Sequence, residues 1–596
     1  MSDSAGSAQL VRTVTVKVNG TALTQSISSL LTESRVSQTI GAANRMELRF
    51  NDSDFTLIDS ATFEIGKLVQ VFHSTPSGAE TKVFHGEVVA IGLDQAGSTL
   101  HQFVVEAFDM SHRLAHSTKV RSFTKMTYSD IISKICGEAG IQVSVNATTV
   151  VHDYVLQTGT DRSFLDEMAL RSGMEWFVDD QKIVFRPIPT TAGPEVTLGR
   201  ELIKFRARYS ASTHTGDVAV RGWDPTTKKA IVGTDTSHSS APAGASAPSK
   251  ISAMRAKAKN ISNAGTFTTG ALNVETAREA NQIATSLANR NASHELIARG
   301  ELLGNPAVKV GGRLTIKGVG QTMGGDYYLT TVEHIFGNAD MVTRFTAGGP
   351  GRENLVDTLG GHAPAVGGWA AHGFVVGIVT NLNDPAGLNR VKVKFPALTE
   401  EDESNWARIV HPMAGGQAGW VSMPAVNDEV LVGFEHGDFR RPYVMGSLYN
   451  GKDKPPYPVK DGKVLQHGFR TLGAHQMIFN DESGKESISL IHGKAADSKV
   501  VVEKEKVQIW VAGNKMVEIK AGPATIVLDG GNIKMDATTI EITAKQDLKL
   551  SAANISIKAQ AKLEAAGQAQ VAVQGAVVEV KASGPLTLKG SLTAIN

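Results

Sequence analysis

The sequence has one cysteine, Cys136, in 596 residues. No disulfide framework and no cysteine-based metal site can be built within one chain from a single thiol. Excess charge of either sign is also missing: 60 Lys and Arg stand against 59 Asp and Glu, with no dense basic block. A surface that tracks nucleic-acid phosphates needs concentrated positive charge, so nucleic acid is not expected as a partner. The amino-terminal stretch MSDSAGSAQLVRTVTVKV lacks a cationic flank followed by an apolar run, and no apolar run of membrane-spanning length occurs. The expectation is synthesis in the cytoplasm without a signal peptide. Aromatic residues run out too: after Phe479 only Trp510 remains. A large globular core is not expected there.

That aromatic-poor region instead carries a repeat. Val517-Glu518-Ile519, Ile526-Val527-Leu528, Ile533-Lys534-Met535, Ile540-Glu541-Ile542, Leu548-Lys549-Leu550, Ile555-Ser556-Ile557, Val571-Ala572-Val573, Val578-Glu579-Val580 and Leu586-Thr587-Leu588 share one pattern, with Leu563-Glu564-Ala565 a weaker step. Outer positions are mostly aliphatic and the middle one is usually polar, the period-two signature of a short strand, and the steps settle at seven or eight residues. Such a step is too short for a strand plus helix, or for a self-contained solenoid coil. The rest of each core layer must come from elsewhere, and three chains wound about one axis supply it while protecting the strand edges. The competing reading is an ordinary β-sandwich end.

At 63.2 kDa the chain holds several domains, and its 59 glycines suit many tight β-turns. Residues 1–355 read as mainly β, two small barrel-like modules with helical insertions. Val11–Val18 leads into the turn Asn19-Gly20, and Arg45–Phe50 and Lys67–His73 alternate. Helices are expected over Tyr128–Ala139 and Asp161–Arg171, the second capped by Asp161 or Ser163 with Phe164, Leu165, Met168 and Ala169 on one side. Trp176-Phe177-Val178 starts a strand. The Ser/Ala/Pro/Gly-rich 238–250 reads as an exposed loop, Thr276–Arg299 as an Ala-rich helix ending in Gly300, and Lys309–Lys317 and Tyr327–Phe336 as strands. Residues 365–450 form a compact unit. Strands are expected at Phe374–Thr380, Arg390–Phe395, Trp406–Val410, Gly419–Val421 and Glu429–Glu435, with a turn at Asn383–Gly387. Five short strands in that space suggest a closed OB-type barrel, which does not itself confer nucleic-acid binding. Trp406 and Trp420 read as core or subunit-contact residues rather than stacking platforms. A Lys- and Pro-containing linker, 451–462, leads to a shaft over 463–596.

No catalytic, cofactor-binding or metal residue is assigned. His334 and His362 lie apart, and His436 stands two residues before Asp438. None makes a ligand-spaced cluster such as His-Glu-x-x-His. One histidine per chain at a trimer axis is the remaining route to a metal. The acidic run Glu400-Glu401-Asp402-Glu403 could imitate a hydrolytic carboxylate pair, and reads instead as a solvated loop. Gly311-Gly312 and Gly415-Gly416 are turns without phosphate-loop spacing.

Several segments resemble one family. GIVTNLNDPAGLNRVKVKFP over 377–396, WARI over 406–409, GWVSMPAVNDEVLVGF over 419–434 and RPYVMGSLYN over 441–450 look like the barrel of contractile-injection spike proteins. These are the VgrG proteins of type VI secretion, the baseplate V proteins of contractile phages and the spikes of extracellular phage-tail-like particles. DRSFLDEMALRSGMEWF over 161–177 and GDYYLTTVEH over 325–334 are similar to the hub of the same family. The resemblance implies a homotrimer whose hub joins the inner tube and baseplate, whose shaft carries a PAAR-type tip, and which makes transient contact with a target envelope. Cargo or effectors are possible further partners by the same resemblance, and no cofactor or enzymatic activity is implied. The T-even phage spike inserts a lysozyme domain between barrel and shaft, where this chain has only the short linker, and no effector domain is expected after the last triplet. On that basis the leading expectation is the spike of an extracellular phage-tail-like particle, cytoplasmic before release and extracellular afterwards. The alternative is a type VI spike or phage tail spike, and a further one a trimeric fibre or adhesin.

Overall fold

The computed structural model describes residues 13–594 except 75–78, 97–99, 212–213, 215, 237–252, 256, 259–265, 270–272, 338–339, 349–372, 400 and 514. The expected loop 238–250, His362 and Glu400 therefore lie outside the described residues. The chain divides into two compact units, Met1–Asp453 and Lys454–Asn596.

The first unit is mainly β. A single thirteen-stranded sheet runs through the region expected to hold two barrel-like modules. One end of the sheet is Val14–Val18 with Thr21–Ala22; further in, Leu31–Thr39, Arg45–Asn51 and Leu100–Phe108 pair antiparallel over a core of Val36, Met46, Leu48, Phe50, Phe103 and Val105. Their strict alternation puts every second side chain into that core. At the other end Leu202–Tyr209, Leu296–Leu303, Asp340–Ala347 and Gly325–Gly337 follow one another. Gly325–Gly337 pairs with Leu31–Thr39 and so joins the two halves.

Three longer helices pack against smaller sheets: two share a core with Arg121–Thr127, Val151–Gln157, Glu175–Asp179 and Lys182–Arg186, and the third lies on Val218–Asp224 and Lys229–Asp235. Helix α1, Tyr128–Glu138, starts at a reciprocal capping box between Thr127 and Asp130 and buries Ile131, Ile132 and Ile135. Helix α2, Asp161–Ser172, buries Phe164, Leu165, Met168 and Ala169 as the pattern predicts. Its cap, however, is Thr160, whose side chain accepts from Ser163 N at 3.1 Å. Asp161 is instead held by Lys119 and Arg121, a use of the carboxylate that the local sequence does not reveal. Gly173 ends the helix at φ 68°, the left-handed value that favours glycine. Helix α3 spans Ala277–Ser293 and not the expected Thr276–Arg299. It stops at His294 because Leu296–Leu303 is drawn into the large sheet between two antiparallel partners. Gly300 is thus a strand residue under the ring of Phe345, where a Cβ would meet ring atoms at 2.4 Å.

Residues 375–449 form a further module. Its strands are ordered Lys392–Lys394, Val375–Asn381, Glu429–Phe434, Pro442–Ser447, Arg408–Ile409. The two ends of that order meet, since Val391 and Ala407 exchange both backbone hydrogen bonds, at 3.0 and 2.7 Å. Val379, Val393, Phe395, Val430, Val432 and Val444 fill the interior. Asp384 fixes the Asn383–Gly387 turn. It accepts from the amides of Ala386, Leu388 and Arg390 and from two guanidinium nitrogens of Arg390 at 2.9 and 2.7 Å. The expected strand Gly419–Val421 is not one: Trp420 N bonds only to Met413 O across a loop, and the tryptophan is 57% exposed. Pro442–Ser447 takes that place in the sheet, with Pro442 at its first position, where a missing amide costs least.

In the second unit Gln466–Arg470, Gln476–Asn480, Ser487–His492, Ser498–Glu503 and Val507–Val511 form an antiparallel meander. Met516–Ala521, Ala524–Asp529 and Asn532–Asp536 follow as a three-stranded sheet.

Candidate assembly surfaces

Two features of the chain are built for holding parts together. The first is the aliphatic face of the second unit. Register places Val517, Leu528 and Ile533 in one cross-strand row and Ile519, Ile526 and Met535 in the next. Glu518, Val527 and Lys534 fall in the row between and so point to the other side. The apolar rows have nothing over them in the single chain: Ile519 is 54% and Ile533 68% exposed. In the preceding meander Phe469, Met477, Leu490, Val500 and Ile509 align in the same way. Among the described residues after Asp536 no strand is assigned, and all from Thr538 to Ala594 are exposed. The triplets expected as strands there have no ladder partner within one chain. Contiguous apolar surface on this scale marks an interaction face, since soluble monomers expose only small patches.

The second feature lies inside the first unit, where two loops of the five-stranded module enter the helical layer. Arg440 is 5% exposed, and its guanidinium donates to Asp438 at 2.9 Å and to the carbonyl of Asn273 at 2.9 Å. Its Nη1 stands 3.6 Å from Glu279 of α3, an ion pair without hydrogen-bond geometry. Arg171 at the end of α2 faces the same Glu279 at 3.7 Å and Asp438 at 3.9 Å, and donates to the Asn273 carbonyl at 3.2 Å. Arg171 also donates to Glu167 at 2.9 Å, so each of the two buried guanidinium groups is opposed by carboxylates. Burial alone would raise Asp438, but Arg440 and Arg171 hold it down at about 2. Asn273 returns a bond to Glu435 O at 2.6 Å, and Arg441 donates to Val274 O at 2.6 Å and Trp223 O at 3.1 Å. Tyr128 and His152 stack beside the network with centroids 4.1 Å apart, and burial lowers His152 to about 4.

The other loop is the acidic run, and here the expectation of a solvated segment is corrected. Asp402 accepts from Ser122 N at 3.1 Å and from the Ser122 hydroxyl, and Tyr154 donates to Glu403 O at 2.9 Å. Glu403 also pairs with Lys392 at 3.2 Å. These contacts dock the loop on the strands that carry Ser122 and Tyr154.

The remaining sequence candidates scatter. His334 is buried beside Thr343, and burial lowers it to about 4. His436 sits at φ 51° in a short turn and is exposed. Trp406 lies under Arg390 and Lys392, 5.9 and 5.7 Å from its ring. Gly311 turns against Phe177. Among the described residues no group of three or more His, Cys, Asp or Glu is placed to hold a metal ion. No helix among them is long and apolar enough to cross a membrane. Arg171, Asn273, Glu279 and Arg440 escaped sequence reasoning, because nothing along the chain marks them as neighbours.

A mainly β hub, a small five-stranded module and an aliphatic-triplet extension define a structural class, the spike and hub components of contractile injection machines. Two family models match: "Alg8 N-terminal domain" over residues 8–338, more than half the chain, and "Type VI secretion system/phage-baseplate injector OB domain" over 375–449. The chain belongs to the VgrG and phage-baseplate spike family of contractile injection systems. Among similar curated proteins, the actin cross-linking toxin VgrG1 of Vibrio cholerae is 33% identical over 119 residues, 19% of this chain and 11% of its own length. The type VI spike protein VgrG3 of the same species is 32% identical over 130 residues, 20% of this chain and 13% of its own. The matched stretches are thus small parts of much longer relatives. A solved PdpA–VgrG complex in its lidless form is similar in fold alone, at 10% identity and a TM-score of 0.50, covering 84% of this chain and 98% of that one.

Proposed function

We propose that three copies of this chain form the central spike of a type VI-like contractile injection machine. In this reading residues 1–355 form the hub, 365–450 an OB-type barrel, 451–462 a linker and 463–596 a shaft of intertwined triple-stranded β-helix. The observation that carries it is the exposed aliphatic triplet series. Each Ile, Leu or Val returned to an apolar interior gains about 1.5–3 kcal/mol, so two further copies supply both a core and the missing ladder partners. The mutual backbone bonds of Val391 and Ala407 support closure of the smaller module.

The partners that follow are the inner tube and baseplate at the hub, a PAAR-type tip at the shaft end and, through either, cargo. The job is mechanical: sheath contraction drives the shaft through a target envelope. The sequence reading preferred an extracellular particle, but similarity to type VI spike proteins supports the alternative better. Cell fractionation of the producing bacterium separates the two. The type VI reading predicts that sheath–tube assemblies containing this chain sediment with cells. Free assemblies in the culture medium that carry it would contradict that reading.

A further inference from the structure

We infer that the two loop contacts between the helical layer and the five-stranded module are a thrust-carrying joint, with Arg440 and Asp402 its positioning residues. The inference rests on the puncturing role proposed above. Force that enters the hub must reach the shaft through residues 375–449, because these precede the second unit in the chain. A joint that carries compression has to resist rotation as well as separation, which one contact point cannot do. Here there are two, on different strands and helices. Asp438 faces Arg171 of α2, Arg440 faces Glu279 of α3, Arg440 and Arg441 donate to the Asn273 and Val274 carbonyls, and the Asn273 side-chain amide donates to Glu435 O. Asp402 and Glu403 lock to Ser122 and Tyr154, which lie on the paired strands Arg121–Thr127 and Val151–Gln157. Helix α1, with Tyr128 at its first turn, continues directly from the first of these strands and reaches the Arg440 network through the Tyr128–His152 stack.

The chemistry of the first contact favours stiffness. A buried guanidinium that donates in a fixed fork cannot slide without stranding a charge, and breaking one partner of such a set costs several times what an exposed pair is worth. The burial is unusual for a contact whose only purpose is adhesion, since apolar packing would hold as well. Directional bonds to Asn273 O from both Arg171 and Arg440 instead fix the angle at which the module meets the helices.

The test uses the full chain in its own machine, with two variants. Arg440→Lys keeps the charge and loses the fork, and the double variant Ser122→Ala/Tyr154→Phe removes two bonds with little risk to folding. Hydrogen exchange reads the joint at the amides of 277–293 and 429–447, and delivery into target cells reads function, with sheath contraction as control. We expect wild-type assembly mass and contraction, amide exchange at least tenfold faster across the joint in Arg440→Lys, and at least tenfold lower delivery. The double variant should show the same changes, smaller. Wild-type delivery despite a joint loosened by exchange would overturn the inference, as would wild-type exchange in both variants. A strain without the chain that still delivers would instead defeat the spike role itself.

Discussion

At the residue scale, function follows from which charges are buried and with what. Asp384 illustrates the favourable case: five donors converge on one carboxylate, and the guanidinium of Arg390 holds it well below the usual range. Replacing it with alanine leaves three amides and Arg390 without their acceptor, and should cost about 2–4 kcal/mol, read as a lower urea midpoint. The buried histidines set an acid limit. Burial lowers His73 to about 3 and His334 and His152 to about 4, so the folded state refuses protons that the unfolded chain accepts from about pH 6.5 downward. Stability therefore falls as pH drops from about 6.5 toward 4, by on the order of 3 kcal/mol for His334 at the lower end. Glu175 works the other way: burial raises it to about 7, so its penalty in the folded state fades as pH falls below that value. His334→Gln should flatten the decline in urea midpoint between pH 7 and 5. An unchanged slope would show that His334 titrates normally. None of this was legible in the sequence, where His334 is one of 17 histidines and Asp384 is one residue of a turn.

At the element scale, the sequence was most informative where periodicity and turn chemistry agreed. Arg45–Asn51, α1, α2 and Glu429–Phe434 lie within a residue or so of their expected bounds, because alternation or helical spacing marks them strongly. The misses have physical causes. Leu296–Leu303 carries residues that suit a helix, and pairing on both edges overrode that preference. Gly419–Val421 has an alternating look but makes only an isolated bridge to Ala414 and no strand ladder. Close approach adds a constraint invisible in one dimension: Gly233 lies against α3 so tightly that a Cβ would meet the backbone of Ala280 and Asn281 at 2.2–2.3 Å. Gly233→Val should push α3 off its sheet and expose Leu287 and Ile283, which faster exchange of the α3 amides would register. In the second unit the triplet pattern separates outer from middle positions, and the proposed shaft buries only the outer ones. Leu548→Asp or Ile555→Asp should abolish shaft assembly, whereas Lys549→Asp at a middle position should leave it intact. Equal effects from all three would contradict the assignment of faces.

At the scale of the whole molecule, the mainly β class was legible in the sequence, and the triplet series is a pattern that one chain leaves unsatisfied. A single copy builds several buried cores in its first unit and leaves its aliphatic triplets in water, with Val573 75% and Leu588 63% exposed. The proposed trimer would remove that imbalance by covering the triplets. The joint between helices and five-stranded module was illegible for the opposite reason, since its residues are scattered over 122–441 and meet only after folding. The most direct measurement is the absolute mass in solution of the full chain, by light scattering, beside a truncation at Gly462. A mass near three times 63.2 kDa that falls without residues 463–596 is the expected result. A stable particle of one chain mass for the full protein would contradict the intertwined shaft, and with it the proposed means of puncture.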